Sequence, residues 1–396
     1  MEQCRQPASE YDSGRMVNEI IESAITVGAS DIHLDPGRDG LNIRHRIDGA
    51  LHAVRHLSTA EQHTVIAQLR QMAELPQAEP RSLQDGRLSI SANGREYDLR
   101  ISIMPMLFGE KVAMRIFDQS SLLLGLDQAG FTNEQLETVK RLLGTPSGMI
   151  ISTGPAGSGK TTLLYSMIME IADPAKSLVT IEDPIELTLP DVQQAQVSPW
   201  NDFTFGTALR GYMRQDADVI LVGEMRDTET AALSAQSAMT GHLILSQMLV
   251  EDAISVPQEL VDLGVDPWIV GRNLPGVIAC RLARKVCQNC KEEYSPSAEA
   301  QEILGLRDRA GSATFYRGKG CESCGGAGHK GRQQLHEILV IDKNLSDIIC
   351  GGETRSDVLL YTAVQHGFMP MIEDGKRVVL DGLVTAEEVC RVLSWR

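Results

Sequence analysis

The chain has 396 residues, 42% of them hydrophobic and 23% charged, with 37 basic residues against 53 acidic ones and a net charge of −16. This composition predicts two or three globular domains and excludes collagen, a disordered tail and a disulfide miniprotein. The acidic balance argues against a broad surface built to neutralise nucleic-acid phosphates, so no nucleic-acid partner is expected.

The opening MEQCRQPASE lacks an apolar stretch behind a positive start, and no run approaches about 18 uninterrupted apolar residues. Neither a secretory signal nor a membrane span is expected, which places the protein in the cytosol. In that reducing compartment the eight cysteines are not a disulfide set. Cys287/Cys290 and Cys321/Cys324 pair off as candidate metal ligands, while Cys4, Cys280, Cys350 and Cys390 read as ordinary packing residues.

Apolar residues from Met16 to Val27 fall at helical spacing, and ASDIHLDP and LNIRHRIDGAL then read as two strands around the turn PGRDG. A second amphipathic helix runs from Thr59 to Leu75 and stops near Pro76. GRLSISANGREYDLRISIMP reads as a hairpin whose turn is Asn93-Gly94, the dipeptide best suited to positive φ. Residues 1–118 therefore form a mixed α+β domain, followed by a linker over 119–130.

A helix from Thr132 to Leu143 opens a second domain, residues 131–396. In it the apolar strands GMIIS, SLVTIE, DVILVG and HLILSQM alternate with helical segments as far as Ala279, the pattern of a mostly parallel sheet covered by helices. The fold class is α/β, with a smaller α+β domain in front. A metal module over 281–335 is inserted, its GGAGHKGR segment reads as a flexible loop, and the helical remainder closes the domain.

The segment GPAGSGKT, Gly154 to Thr161, matches G-x-x-x-x-G-K-[ST] directly after an apolar strand and before the helical TLLYSMIMEIA. Such a loop turns backbone N–H groups inward around a β-phosphate, and the helix that follows aims its positive end at the same charge. Gly154, Pro155, Ala156, Gly157, Ser158, Gly159, Lys160, Thr161 and Thr162 are the expected contacts with ATP. Lys160 would reach the β- and γ-phosphates and Thr161 would ligate Mg²⁺.

Hydrolysis also needs carboxylates. Glu182, Asp183 and Glu186 follow one apolar strand and Glu224 follows another, at the strand ends where ligands of open α/β sheets sit. Glu224 is the expected residue to polarise the attacking water, with Glu182, Asp183 and Glu186 tuning magnesium, water or the loop. His242, in TGHLILSQM, is a candidate γ-phosphate sensor.

Across these residues the chain resembles the secretion ATPase superfamily, specifically the assembly ATPases of type II secretion and type IV pilus systems. ASDIHLDP, R-x-R-x-D-G at Arg44 to Gly49, QDGR at Gln84 to Arg87 and RISIMPMLFGEKVAMR resemble the family's N-terminal domain. GPAGSGKTTLLY resembles its Walker A segment, TIEDPIEL its Asp box, LRGYMRQDADVILVGEMRDTETA its Walker B region and TGHLILS the start of its His box. CRLARKVCQNC, GCESCGGAGHKGRQQLHEIL and DGLVTAEEV resemble its C-terminal portion.

The resemblance implies a PAS-like N-terminal domain and a RecA-like motor. It also implies a homohexameric ring that works on an inner-membrane platform protein, and through an anchor protein, to drive pilin or pseudopilin subunits out of the membrane. The ring would be cytoplasmic and attached peripherally to the inner membrane through these partners. Nucleotide would lie between domains, with Arg100, Arg115, Arg210 and Arg214 stabilising charge on the γ-phosphate.

Departures from the family pattern are specific. Ser246 to Ala253 reads SQMLVEDA where the family has a STLHTNDA-like run, so Leu249 stands at the second His-box histidine. RQDAD replaces RQDPD, and Cys280 begins CRL where QRL is common. With ASDIHLDP starting at Ala29, the extra N-terminal docking domain of many assembly ATPases is not expected. These changes point to a specialised, slower member. A nucleotide-binding structural or regulatory subunit with little turnover is the alternative, and the acidic charge disfavours a DNA-translocating ring.

Cys287 and Cys290 form one C-x-x-C knuckle and Cys321 and Cys324 a second. Two knuckles complete a closed tetrahedral S4 site suited to structural Zn²⁺, with no open position for water. Retraction ATPases of the family generally lack these four cysteines, so the module favours secretion or pilus extension.

Overall fold

The computed structural model describes residues 10–47, 49–77, 82–92, 94–118, 125–198, 201–307 and 313–393. The chain divides into two compact units, residues 1–122 and 123–396.

In the first unit the helix Glu10–Thr26 leads into β1 (Asp31–Gly37), β2 (Gly40–Ile47) and β3 (Ala50–Ser58). After the helix Thr59–Met72 come β4 (Gln84–Ala92), β5 (Arg95–Met106) and β6 (Gly109–Asp118). The strands form one antiparallel sheet in the order β3-β2-β1-β6-β5-β4.

Alternation decides its faces. Ile32, Leu34, Ile43, Leu99, Ile101, Val112 and Met114 are buried in a core shared with Val17, Ile21, Val65 and Leu69 of the two helices. The second helix starts where Ser58 and Glu61 cap each other's backbone amides, satisfying two donors that the first turn leaves unpaired.

The segment LNIRHRIDGAL, expected as one strand, is split: Ile47 pairs with Ala50, and β3 returns along β2 as a separate, mostly exposed strand. Asp48, Asn93 of the expected hairpin turn and residues 119–124 of the expected linker lie outside the described residues.

The second unit is α/β. The helix Asn133–Leu143, capped by Thr132 and Gln135, precedes β7 (Gly148–Thr153), the helix Lys160–Glu170, β8 (Leu178–Glu182) and β9 (Gln193–Gln196). Then follow the helix Phe205–Tyr212, β10 (Val219–Val222), the helix Thr228–Met239, β11 (Leu243–Met248), two short helices (Val256–Asp262 and Pro267–Asn273) and β12 (Gly276–Val286). A small hairpin, β13 (Lys291–Tyr294) with β14 (Phe315–Gly318), encloses the helix Ala298–Ile303 and precedes β15 (His329–Val340). Helices Lys343–Cys350, Ser356–Gln365, Met371–Leu380 and Ala386–Leu393 complete the unit.

The sheet order is β15-β12-β7-β11-β10-β8-β9, parallel throughout except for the β12–β15 edge. The four expected strands are present as β7, β8, β10 and β11, each a fully or nearly fully buried apolar run. β12 and β15 were not legible, because CRLARKV and HKGRQQLHEILV interrupt their apolar positions with basic and polar residues. They carry the metal module as an insertion of residues 287–328 on a long antiparallel hairpin. GGAGHKGR is a glycine turn that runs into β15.

Candidate functional site

In a parallel sheet every carboxyl end emerges on one edge. Here that edge brings together the loop after β7, Glu182 at the end of β8 with Asp183 following it, Glu224 after β10 and Leu249 after β11. β11 separates β7 from β10, so Glu224 stands two strand spacings, about 10 Å, from the line of the phosphate loop.

The loop geometry depends on glycine. Gly154 has φ +143°, and a Cβ there would come within 2.5 Å of the Cys280 carbonyl oxygen. Gly159, at φ +95°, precedes the first residue of the helix Lys160–Glu170. Both conformations disfavour residues with a Cβ. Lys160 is buried, its Nζ donating to the carbonyls of Gly154 and Pro155 at 2.8 Å each. Burial lowers the Lys160 pKa. Ala156 and Gly157 are exposed at the tip, Pro155, Thr161 and Thr162 are half-buried, and Ser158 is buried against Cys280 with Oγ 3.7 Å from Sγ.

Three supports were invisible in the sequence. Gln334 of β15 donates to the carbonyls of Ser158 and Gly159 at 3.4 Å. The Thr153 hydroxyl donates to the Val250 carbonyl at 2.6 Å, tying the loop strand to the segment after β11. Arg281 donates to the Cys280 carbonyl at 3.0 Å. The first two, and a further bond that Arg281 donates to the Glu251 carbonyl, join segments distant in sequence, so no local motif announces them.

The acidic residues divide by environment. Glu182 is 4% exposed and accepts from Tyr165 Oη at 2.5 Å, Thr180 Oγ1 at 2.6 Å and Gln194 Nε2 at 3.0 Å. Burial, together with the Glu182 charge, pushes the Tyr212 hydroxyl up to about 12 and the Tyr165 hydroxyl higher still. These three donors make Glu182 a buried brace between the sheet and the helix of the phosphate loop. Asp183 is exposed, and Glu186 is half-buried with its amide donating to Tyr165 Oη at 3.2 Å. Glu224 pairs with Arg226 at the site edge.

His242 lies elsewhere. It precedes β11, its carbonyl accepts from the Gly148 amide at the amino end of β7, and its Nδ1 sits 2.9 Å from the Ser237 carbonyl. The strand direction carries it to the edge opposite the phosphate loop, so the structure does not bring it to the other site residues. Arg210 pairs with Glu229 at 2.7 Å, and Arg214 is exposed on the turn that leads into β10. In the first unit Arg100 and Arg115 face each other across β5 and β6, with Arg100 over the Phe117 ring at 4.6 Å and Arg115 on Asp31 at 2.9 Å.

The four cysteines converge. Sulfur separations are 3.9 Å for Cys287–Cys321, 3.8 Å for Cys290–Cys324 and 3.7 Å for Cys321–Cys324, with all four sulfurs within 4.8 Å of one another. A tetrahedral S4 site with Zn–S near 2.3 Å needs sulfurs about 3.8 Å apart, so the cluster fits zinc. Burial opposes the Cys324 thiolate, but the amides of Cys321 and Gly328, each 3.2 Å from its sulfur, bring the thiol down to about 6. Cys324 is thereby prepared for ligation as an anion.

A family model described as type II/IV secretion system protein matches residues 9–391. The type IV pilus assembly ATPase PilB of Thermus thermophilus is 38% identical over 381 residues, which are 96% of this chain and 43% of that protein. The type II secretion system ATPase E of Vibrio cholerae is 36% identical over 378 residues, 96% of this chain and 75% of that one. The chain therefore spans less than half of the first relative and three quarters of the second.

Among solved structures, the Legionella pneumophila ATPase DotB superposes with a TM-score of 0.69 at 20% identity, covering 98% of this chain and 96% of DotB. The pilus retraction motor PilT with bound ADP gives 0.66 at 24% identity, covering 94% of this chain and 95% of PilT. These two likenesses concern the fold.

Proposed function

The chain belongs to the type II/IV secretion system protein family, the family of secretion and pilus-assembly ATPases, and on that premise we propose that it hydrolyses Mg²⁺·ATP at Gly154–Thr161 to power pilus extension or protein secretion. The observation that carries the reading is the carboxyl edge of the second unit's sheet. There a glycine loop with a buried lysine and the strand-end acid Glu224 are set about two strands apart.

In this reading the loop amides and Lys160 hold the phosphates, Thr161 ligates Mg²⁺ and Glu224 orients the attacking water. Asp183 and Glu186 tune the metal and water shell from the next strand end. Arg210 and Arg214 neutralise charge that builds on the transferred phosphoryl group. Zinc on Cys287, Cys290, Cys321 and Cys324 gives the 287–328 insertion a fixed shape and supports extension or secretion over retraction. The working form is a homohexamer on the cytoplasmic side of a membrane, engaged with a membrane platform protein. Among the described residues no helix is long and apolar enough to cross a membrane itself.

Leu249 favours slow turnover as a second reading. It is 64% exposed immediately after β11, at the edge where the family's second histidine would stand. Phosphate release by the full chain with Mg²⁺·ATP tests both readings. Loss in Lys160→Ala and Glu224→Gln is expected. Unchanged turnover in Lys160→Ala contradicts the proposal, and tight binding without release in the wild type supports the second reading.

A further inference from the structure

The long β12–β15 hairpin forms the back wall of the phosphate loop. β12 runs parallel to β7 with Ala279 beside Thr153, and it pairs with β15 so that Leu282 lies opposite Gln334. The loop leans on both strands: Ser158 Oγ lies 3.7 Å from Cys280 Sγ, and a Cβ on Gly159 would stand 2.7 Å from Gln334 Nε2 and 3.6 Å from Leu282 Cδ1. Glycine at 159 is what lets the Gln334 amide come this close.

Gln334 Nε2 carries two hydrogens and reaches two successive carbonyls, those of Ser158 and Gly159, at 3.4 Å each. The Gly159 carbonyl also accepts the Leu163 amide at 3.0 Å, so the helix holds that peptide plane by itself. The Ser158–Gly159 plane lacks such a bond: it adjoins a glycine at φ +95°, and among the described residues no backbone N–H reaches the Ser158 carbonyl. Cys280, the hairpin side chain beside Ser158, offers only a thiol, a weak donor. In a trans peptide the carbonyl and the N–H point opposite ways, so a Ser158 carbonyl held against the hairpin aims the Gly159 N–H at the open side of the loop. Among the described residues that N–H donates to no backbone carbonyl.

We propose that Gln334 is a positioning residue for phosphate binding: its amide pins the Ser158–Gly159 peptide plane to the hairpin and so presets the Gly159 N–H as a donor to the β-phosphate. The inference rests on the reading above that this loop takes the phosphates of ATP. Gln334 itself touches no nucleotide. Without its two donors the glycine-flanked plane is free to rotate, and the N–H leaves the cradle.

The test is calorimetric titration of the full chain with Mg²⁺·ADP, together with kcat and KM for Mg²⁺·ATP, in Gln334→Met, which keeps the reach of the side chain and drops both donors. Losing one hydrogen bond to a charged phosphate costs roughly tenfold or more in affinity, so the Kd for ADP and the KM for ATP are expected to rise together by about that factor. The Gly159 N–H holds the β-phosphate in the ground state and the transition state alike, so kcat should stay within about twofold of wild type. A merely structural role would lower kcat as the site loosens.

Wild-type ADP affinity in Gln334→Met, or a fall in kcat at unchanged KM, overturns the inference while leaving the phosphate site intact. Wild-type ADP affinity in Lys160→Ala overturns the reading of the loop and the inference with it. If Gln334→Met does not fold by circular dichroism, Gln334→Glu replaces it. Its carboxylate has the same reach and no hydrogen to donate at neutral pH, and it is expected to give the same rise in Kd and KM at unchanged kcat.

Discussion

Glu388 offers the most quantitative test of how the second unit is held together. Its side chain is 2% exposed and lies between two guanidiniums. Arg284 donates from its amide at 2.9 Å, Nε at 3.0 Å and Nη2 at 2.7 Å, and Arg391 from Nε at 2.8 Å and Nη2 at 2.7 Å. Burial alone would push this carboxyl up, but the arginines reverse that and hold it at about 2, below its ordinary 4.5. At 1.36 kcal/mol per pH unit the depression is worth about 3 kcal/mol.

The sign follows from linkage. The folded state keeps the carboxylate ionised, so the stabilisation is complete above pH 4.5 and is lost as pH falls toward 2. Glu388→Gln should therefore destabilise the unit by about 2–3 kcal/mol at pH 7, and the gap to wild type should close as pH falls toward 2. Trp200, Trp268 and Trp395 all fall in residues 123–396, so tryptophan fluorescence in a urea titration reports this unit selectively. A penalty below about 0.5 kcal/mol at pH 7, or one that stays constant down to pH 3, would refute the reasoning.

Further outcomes follow from the same geometry. Purified protein should carry about one zinc per chain by elemental analysis, and Cys324→Ser should lose it together with thermal stability, since such sites supply folding energy directly. His336 is fully buried and stacked on Phe131 at 3.9 Å, and burial draws it down to about 3 from 6.5. The folded state keeps it neutral while the unfolded chain takes up a proton, so stability should fall as pH drops from 6.5 toward 3. His336→Phe should flatten that slope in melts at pH 7, 5 and 4, and an unchanged slope would exclude His336 as its source. Gly154→Ala sets a Cβ 2.5 Å from the Cys280 carbonyl and should weaken nucleotide binding at least about tenfold by calorimetry, with the rest of the fold retained.

Legibility in the sequence followed local physics. β7, β8, β10 and β11 were readable because strands buried on both faces become continuous apolar runs. The phosphate loop and cysteine knuckles were readable because their chemistry depends on short fixed spacings. β12 and β15 were not, since the basic and polar residues along them obey no simple alternation.

His242 shows a different limit. Its place beside an apolar strand was visible, but its function depends on which end of that strand it occupies, and strand direction separates it from Gly154. Glu182 likewise carried the right chemistry and the right strand end. Tyr165, Thr180 and Gln194, drawn from three separate segments, commit it to a bracing role.

The most direct test of the central claim is a crystal structure of the full chain grown with Mg²⁺ and a nonhydrolysable ATP analogue. The β-phosphate is expected within hydrogen-bond distance of the loop amides and Lys160 Nζ, which would exchange the Gly154 and Pro155 carbonyls for phosphate oxygens, with the metal on Thr161 Oγ1. An analogue bound elsewhere at saturation, with Lys160 still on those two carbonyls, would contradict it.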